Sequence, residues 1–349
     1  MDKYFLGTYT PYGYYTVFDK LIDQPDYFTY ILKGDQSASR LIESVVEGVS
    51  PSEVYYCSAQ PDCLDAAVFG DRRIIVADSI KPHIFEPTVP GACQQIVNIG
   101  EMWDVISLKN RRAELEELHT SHKSCMDGAA RSLTALGSIT ADSFKIGKAA
   151  LMVDKLDAFI NRFIKKNIPK SRENEKRGSV SYRQICAVTA DGFSLLMPND
   201  VKEVFIVSDD YFAGTDYLLR ELTKTASDRG YNCVLTRSPL HNIEPDEVLF
   251  SLFIPELKMI FINSTEQNPV FAEKRKIINF KRFYDKTAAA KNKGRLRFDA
   301  TAAESLSNDI YLSMKAARAV LSQIERIYET AAEESKVKSV TEKIMAAIV

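Results

Sequence analysis

Asp78 closes an apolar run, Ile74-Ile75-Val76-Ala77, and His83 and Glu86 follow shortly after it. A carboxylate at the end of a buried strand is where nucleotide-hydrolysing sites hold a magnesium-bound water. An aspartate at a strand end is also a common turn-former, so both readings of Asp78 stay open. Upstream, CSAQPDCLD (57–65) sets Asp62 and Asp65 in a loop after another strand, at the sheet edge where a ligand would lie. Capping of the following turn is the alternative use of these carboxylates. A lone histidine of unperturbed pKa is a candidate acid–base group, but no nucleophile with a partner can be named beside His83, which favours a structural role.

The stretch LKGDQSASRL (32–41) has the layout of a phosphate loop, a strand leading through glycine into a helix. Such a loop aims backbone N–H groups at the phosphates from a helix N-terminus. Glycines allow the curled backbone, a lysine neutralises the outer phosphates and a Ser or Thr hydroxyl holds magnesium. Here Lys33 and Gly34 remain, while Asp35, Gln36, Ser37, Ala38 and Ser39 replace the interior glycines. Arg40 stands where the lysine belongs and keeps the charge without the compact ammonium. Leu41 takes the magnesium-ligand position and has no oxygen. Lys33, Gly34, Ser37, Ser39, Arg40 and Asp78 therefore outline a vestigial nucleotide site, with ATP and magnesium as its prospective cofactors.

A second loop, SDDYFAGTDYLL (208–219), is poorer still. Asp209 and Asp210 bring carboxylates to its mouth, Thr215 replaces the lysine, Gly214 is the surviving glycine and Asp216 follows. An anion at a helix N-terminus needs donors, not carboxylates. In HTSHKSC (119–125), His119, His122 and Cys125 recur every third residue, but a zinc site wants four such ligands and no fourth is near. The six cysteines include no C-x-x-C pair. No metal site is expected, and the thiols read as reduced and buried.

The elements that must hold these residues occur twice. TPYGY (10–14) returns as TADGF (189–193) and IVNIGEMWD (96–104) as IINFKRFYD (277–285), at offsets of 179 and 181. Between them both halves run strand, loop, helix, strand, strand. Strands are expected at 28–32, 54–58 and 73–78, and at 204–207, 233–236 and 257–263, with helices at 38–47 and 212–229. Short β-branched runs separated by helices imply parallel pairing. The expected architecture is two tandem three-layer α/β domains with mainly parallel sheets, each followed by long helices. The first spans 1–168 and the second 182–349, joined by a charged linker, 169–181. An apolar stripe through Ala149, Met152, Val153, Leu156, Phe159, Ile160 and Phe163 must be covered by its own sheet, the other half or a partner chain.

The chain has 349 residues, 45% hydrophobic and 26% charged, with a formal net charge of −2. That balance argues against a dedicated nucleic-acid binder. The basic stretches KKNIPK (165–170) and KNKGRLR (291–297) lack interleaved aromatics and read as solvated connections. No run is apolar enough to span a bilayer and the N-terminus lacks signal-peptide order, so a cytoplasmic protein is expected.

FLGTYTPYGYYTVFDKLI, YILKG, YYCSAQPDCLDAAVF and IIVADSIKPHIFEPTVPGACQQIVNIGEMWD together resemble a bacterial family of tandem P-loop ATP-binding proteins. The resemblance runs along nearly the whole chain, including IPELKMIFINS, and is stronger in the first half. It implies a duplicated P-loop NTPase-like fold and an ATPase or nucleotide-kinase-like activity. Both loops depart from the family's G-x-x-x-x-G-K-S/T. That double departure points to a non-catalytic pseudo-NTPase, an interaction or assembly protein with an unidentified protein partner or a second copy of itself. The alternative is an ATP-dependent enzyme using Arg40 and Asp78; a small-anion binder at Gly34 ranks third.

Overall fold

The computed structural model describes residues 1–348 apart from 23, 25, 35, 36, 172–175 and 242–246. The first half begins with β1 (Asp2–Phe5), β2 (Gly7–Thr10), β3 (Gly13–Thr16), α1 (Phe18–Ile22) and β4 (Phe28–Lys33). It continues with α2 (Ser37–Gly48), β5 (Glu53–Tyr56), β6 (Leu64–Phe69), β7 (Ile74–Asp78) and β8 (Gln94–Asn98). Three helices close it: α3 (Val105–Asn110), α4 (Arg112–Ala150) and α5 (Val153–Asn167). The second half repeats the order through β9 (Val180–Tyr182), β10 (Cys186–Thr189), β11 (Gly192–Leu195), β12 (Glu203–Ser208) and α6 (Ala213–Asp228). Then come β13 (Cys233–Arg237), β14 (Leu249–Ile254), β15 (Met259–Ser264) and β16 (Arg275–Asn279). It ends with α7 (Lys286–Lys291), α8 (Lys293–Ala331) and α9 (Glu334–Ile348).

The recurring sequence motifs are local backbone devices. Thr10 Oγ1 donates to Gly13 O at 2.7 Å, and Thr189 Oγ1 to Gly192 O at 2.9 Å, across the β2–β3 and β10–β11 turns. Gly13 and Gly192 have φ of 112° and 111°, a conformation that glycine adopts without strain. In the second motif, Asn98 and Asn279 cap a short 3₁₀ turn, and Asp104 and Asp285 cap α3 and α7 through two backbone N–H groups each.

The sheets have the orders β1-β5-β6-β7-β4-β8 and β9-β13-β14-β15-β12-β16. All pairings are parallel except those of β6 and β14, which run against both neighbours. The sheets are thus mixed, each mainly parallel with one reversed strand, and Leu64 and Asp65 begin a strand instead of ending a loop. Every residue of β6 is buried, so no alternation of polar and apolar residues marks it.

The outer face of the first sheet is covered by α2 and α9, and that of the second by α5 and α6. The inner faces share one apolar core, filled by α1, both hairpins and Phe144 of α4, which departs from two separate three-layer units. The helical segments are also exchanged. Leu156, Ile160 and Ile164 of α5 pack with Phe205, Leu219 and Phe261 of the second sheet and α6. Ile344 and Ile348 of α9 pack with Leu41, Ile42 and Val76 of the first. Main-chain hydrogen bonds repeat the exchange: Asp104 N to Ala331 O at 2.7 Å, and Asp285 N to Ala150 O at 2.8 Å. The stripe on α5 is therefore covered by the other half.

The two 39-residue helices, α4 and α8, lie side by side. Ser132 bonds Asp309 and Ser143 bonds Asp299, so the partner number falls as the first rises and the pair is antiparallel. Lys293–Arg297, expected in a polar connection, form the first turn of α8. Val180 and Ser181, within the expected linker, belong to β9. Among the described residues no helix is long and apolar enough to cross a membrane.

Candidate functional site

The first-half loop leaves β4 at Lys33 and enters α2 at Ser37. Asp35, Gln36 and the side chain of Ser37 lie outside the described residues. Lys33 is ion-paired with Glu86, and Arg40 with Glu329 on α8. Gly34 has a packing reason: a Cβ there would stand 2.7 Å from Ile99 Cβ. Ser39 is buried, accepting the Leu64 N–H at 2.8 Å and donating to Glu43 at 3.2 Å. Leu41 is core. The cations that could face a phosphate are thus engaged with carboxylates.

The match between the two helices differs from the one spacing suggests. Asp216 Oδ1 accepts the Leu249 N–H at 2.9 Å, as Ser39 accepts that of Leu64, the two being the first residues of β14 and β6. Ser39 therefore corresponds to Asp216, Ala38 to Thr215, and Arg40 to Tyr217. Arg40 does not occupy the lysine place matched to Thr215; it lies further along the outer side of α2, 64% exposed.

In the second half an internal carboxylate occupies the helix N-terminus. Asp209, buried, accepts the Thr215 N–H at 2.8 Å and the Thr215 hydroxyl at 3.0 Å on Oδ2. Its Oδ1 accepts the Tyr211 N–H at 3.2 Å and the Tyr284 hydroxyl at 2.8 Å. Tyr284 in turn accepts the Gly214 N–H at 2.8 Å. Burial raises the Asp209 pKa, and these donors, led by the Thr215 amide, oppose the rise. Asn263 Nδ2 completes the network on Thr215 Oγ1 and Asp209 O. Asp210, at the mouth, accepts the Glu266 N–H and faces Lys281 at 3.9 Å. A Cβ on Gly214 would come within 2.4 Å of Phe280.

Beside the first loop, one side-chain cluster does come together. Asp78 ends β7 opposite Leu32 of β4, and its Oδ1 bonds His83 Nε2. Asp65 joins them because of a β-bulge. Tyr55 pairs with Ala66 and Tyr56 with Leu64, so Asp65 is the unpaired extra residue and a bulge re-aims such a side chain. Asp65, Asp78 and His83 are all at most 3% exposed, and their ligand-type atoms lie within 4.8 Å of one another. Burial, then the Asp78 carboxylate, pushes the Asp65 pKa up to about 8. For His83 burial works against the charged ring, but Asp78 and then Asp65 raise it to about 9. The ring of Tyr14 on β3 lies 6.1 Å from that of His83.

This grouping was not legible along the chain, although Asp65, Asp78 and His83 were each singled out. The bulge that turns Asp65 toward the other two is a cross-strand feature. Asp62 goes elsewhere, exposed and paired with Arg318 of α8 at 2.7 Å. Asp216 binds Arg220 as well as the Leu249 amide. His119, His122 and Cys125 lie along α4 and form no three-ligand group among the described residues. Comparison of the chain with protein-family models, curated proteins and solved structures gave no match.

Proposed function

We propose that this chain is a non-catalytic relative of the P-loop NTPases, a rigid interaction or assembly unit built on a duplicated frame. The observation that carries this reading is Asp209. Its carboxylate receives the amide and hydroxyl donors at the start of α6 that a phosphate would need. The first half supports the same reading, since Lys33 and Arg40 are neutralised by Glu86 and Glu329. With these two cations paired and Leu41 in the core at the magnesium-ligand position, the electrostatic stabilisation on which phosphoryl transfer depends is weakened. Asp78 beside Leu32, at the carboxyl ends of two parallel strands, is what supports the P-loop-like frame.

The outermost strands β8 and β16 carry exposed Ile96 and Ile277 at equivalent positions. Such edges are where a protein partner or a second copy would add. Thermal-shift measurements with Mg-ATP, Mg-GTP and nucleoside monophosphates test the reading, and no shift is expected. A saturable shift, abolished in Lys33→Ala or Arg40→Ala and accompanied by turnover, would establish the nucleotide-dependent enzyme instead.

A further inference from the structure

We infer that Asp65, Asp78 and His83 form a binding site for one divalent transition-metal ion. The ligand-type atoms lie within 4.8 Å of one another. Atoms sharing a tetrahedral zinc stand roughly 3–3.5 Å apart, so modest side-chain movement completes the arrangement. One imidazole nitrogen and two carboxylate oxygens suit zinc, manganese or iron(II), whereas calcium and magnesium prefer shells made of oxygen alone.

The second, independent observation is that the site contains a buried carboxylate oxygen with nothing to bond. Asp65 Oδ2 is without a hydrogen-bond partner, on a side chain that is 3% exposed. An unpaired buried polar group of this kind is costly. His83 Nε2 already touches Asp78, and an ion held between them would gather Asp65 as well.

The second half shows that the fold does not require these groups. Its equivalent bulge, between Thr236/Ser251 and Arg237/Leu249, presents Phe250 where the first half has Asp65. Phe250 packs on Phe193, with ring centroids 5.3 Å apart, where the first half has Tyr14. Asn263 stands for Asp78. The following loops match because Phe85 N bonds Ser79 Oγ just as Val270 N bonds Ser264 Oγ, which places Asn268 opposite His83. One copy thus closes this corner with an aromatic pair, while the other buries two carboxylates and an imidazole. An ion there would tie β6 and β7 to the loop carrying Glu86, the partner of Lys33.

The test uses the full chain, stripped with chelator and dialysed separately against zinc, manganese and iron(II) salts. About one tightly held equivalent of at least one ion per chain is expected, with a rise in Tm on loading. Asp65→Phe and His83→Asn borrow the second half's own residues, so they should fold, and each should lose that equivalent and the Tm rise. A wild-type chain that binds no ion and shows no Tm rise overturns the inference. So does an equivalent retained by both variants but lost in His119→Ala/His122→Ala, which would assign the ion to α4. Circular dichroism of the variants confirms that lost binding is not lost folding. None of these readouts depends on nucleotide, so the result stands apart from the non-catalytic reading.

Discussion

At the residue scale, residues that resemble the parts of a phosphate loop serve packing and capping instead. Gly34 and Gly214 look like remnants of a phosphate loop, yet each is held small by a neighbour, Ile99 or Phe280. Asp209 looks like a repulsive carboxylate at a loop mouth, yet it is the acceptor that satisfies the α6 N-terminus. Replacing it should therefore destabilise the protein. Asp209→Ala leaves the Thr215 amide and the Tyr284 hydroxyl without acceptors, and a loss of about 2–4 kcal/mol is expected in urea unfolding. Asp62→Ala, at an exposed ion pair, should change stability by less than about 1 kcal/mol. Equal losses for the two variants would show that Asp209 is not the anchor of that helix.

At the element scale, the exchange of α5 and α9 decides which surfaces are dry. Ile344 and Ile348 are 2% and 1% exposed against α2 and the first sheet. Burying one such side chain is worth about 1.5–3 kcal/mol. The helices also approach closely, since a Cβ on Gly48 of α2 would clash with Met345 of α9. Removing residues 334–349 should consequently expose the first sheet rather than the second. Hydrogen exchange should accelerate in β4, β7 and α2, with β12 and β15 less affected, and a synthetic α9 peptide added in trans should restore protection. Acceleration confined to the second half would contradict the exchanged arrangement.

At the scale of the molecule, the chain has the form of a two-fold dimer whose subunits were joined end to end. The paired crossings Asp104–Ala331 and Asp285–Ala150, and the antiparallel α4–α8 pair, are each related by an interval of 181 residues or by a self-complementary contact. Closed two-fold interfaces pair the same surface with itself. A specific protease site inserted at 172–175 should therefore yield two fragments that stay together in native size-exclusion chromatography and part only in denaturant. Fragments that separate without denaturant would mean that the exchanged helices contribute little to cohesion.

The sequence by itself determined the features that are local. The hairpin threonine and glycine, the paired caps Asn98 and Asp104 with their counterparts Asn279 and Asp285, and the duplication are written in short intervals, because turns and caps are satisfied within a few residues. Periodicity likewise marked the apolar stripe through Leu156 and Ile160, but it could not say what covers it. Hydrophobic burial has no direction, so several surfaces could have met that face, and only the folded chain selects the second sheet. The same holds for the cluster at Asp65, Asp78 and His83. Each residue type was visible, but their meeting depends on an antiparallel β6 hidden by uniform burial and on a bulge defined by its partner strand. Such cross-strand register is settled by long-range pairing, and only the tertiary structure supplies it.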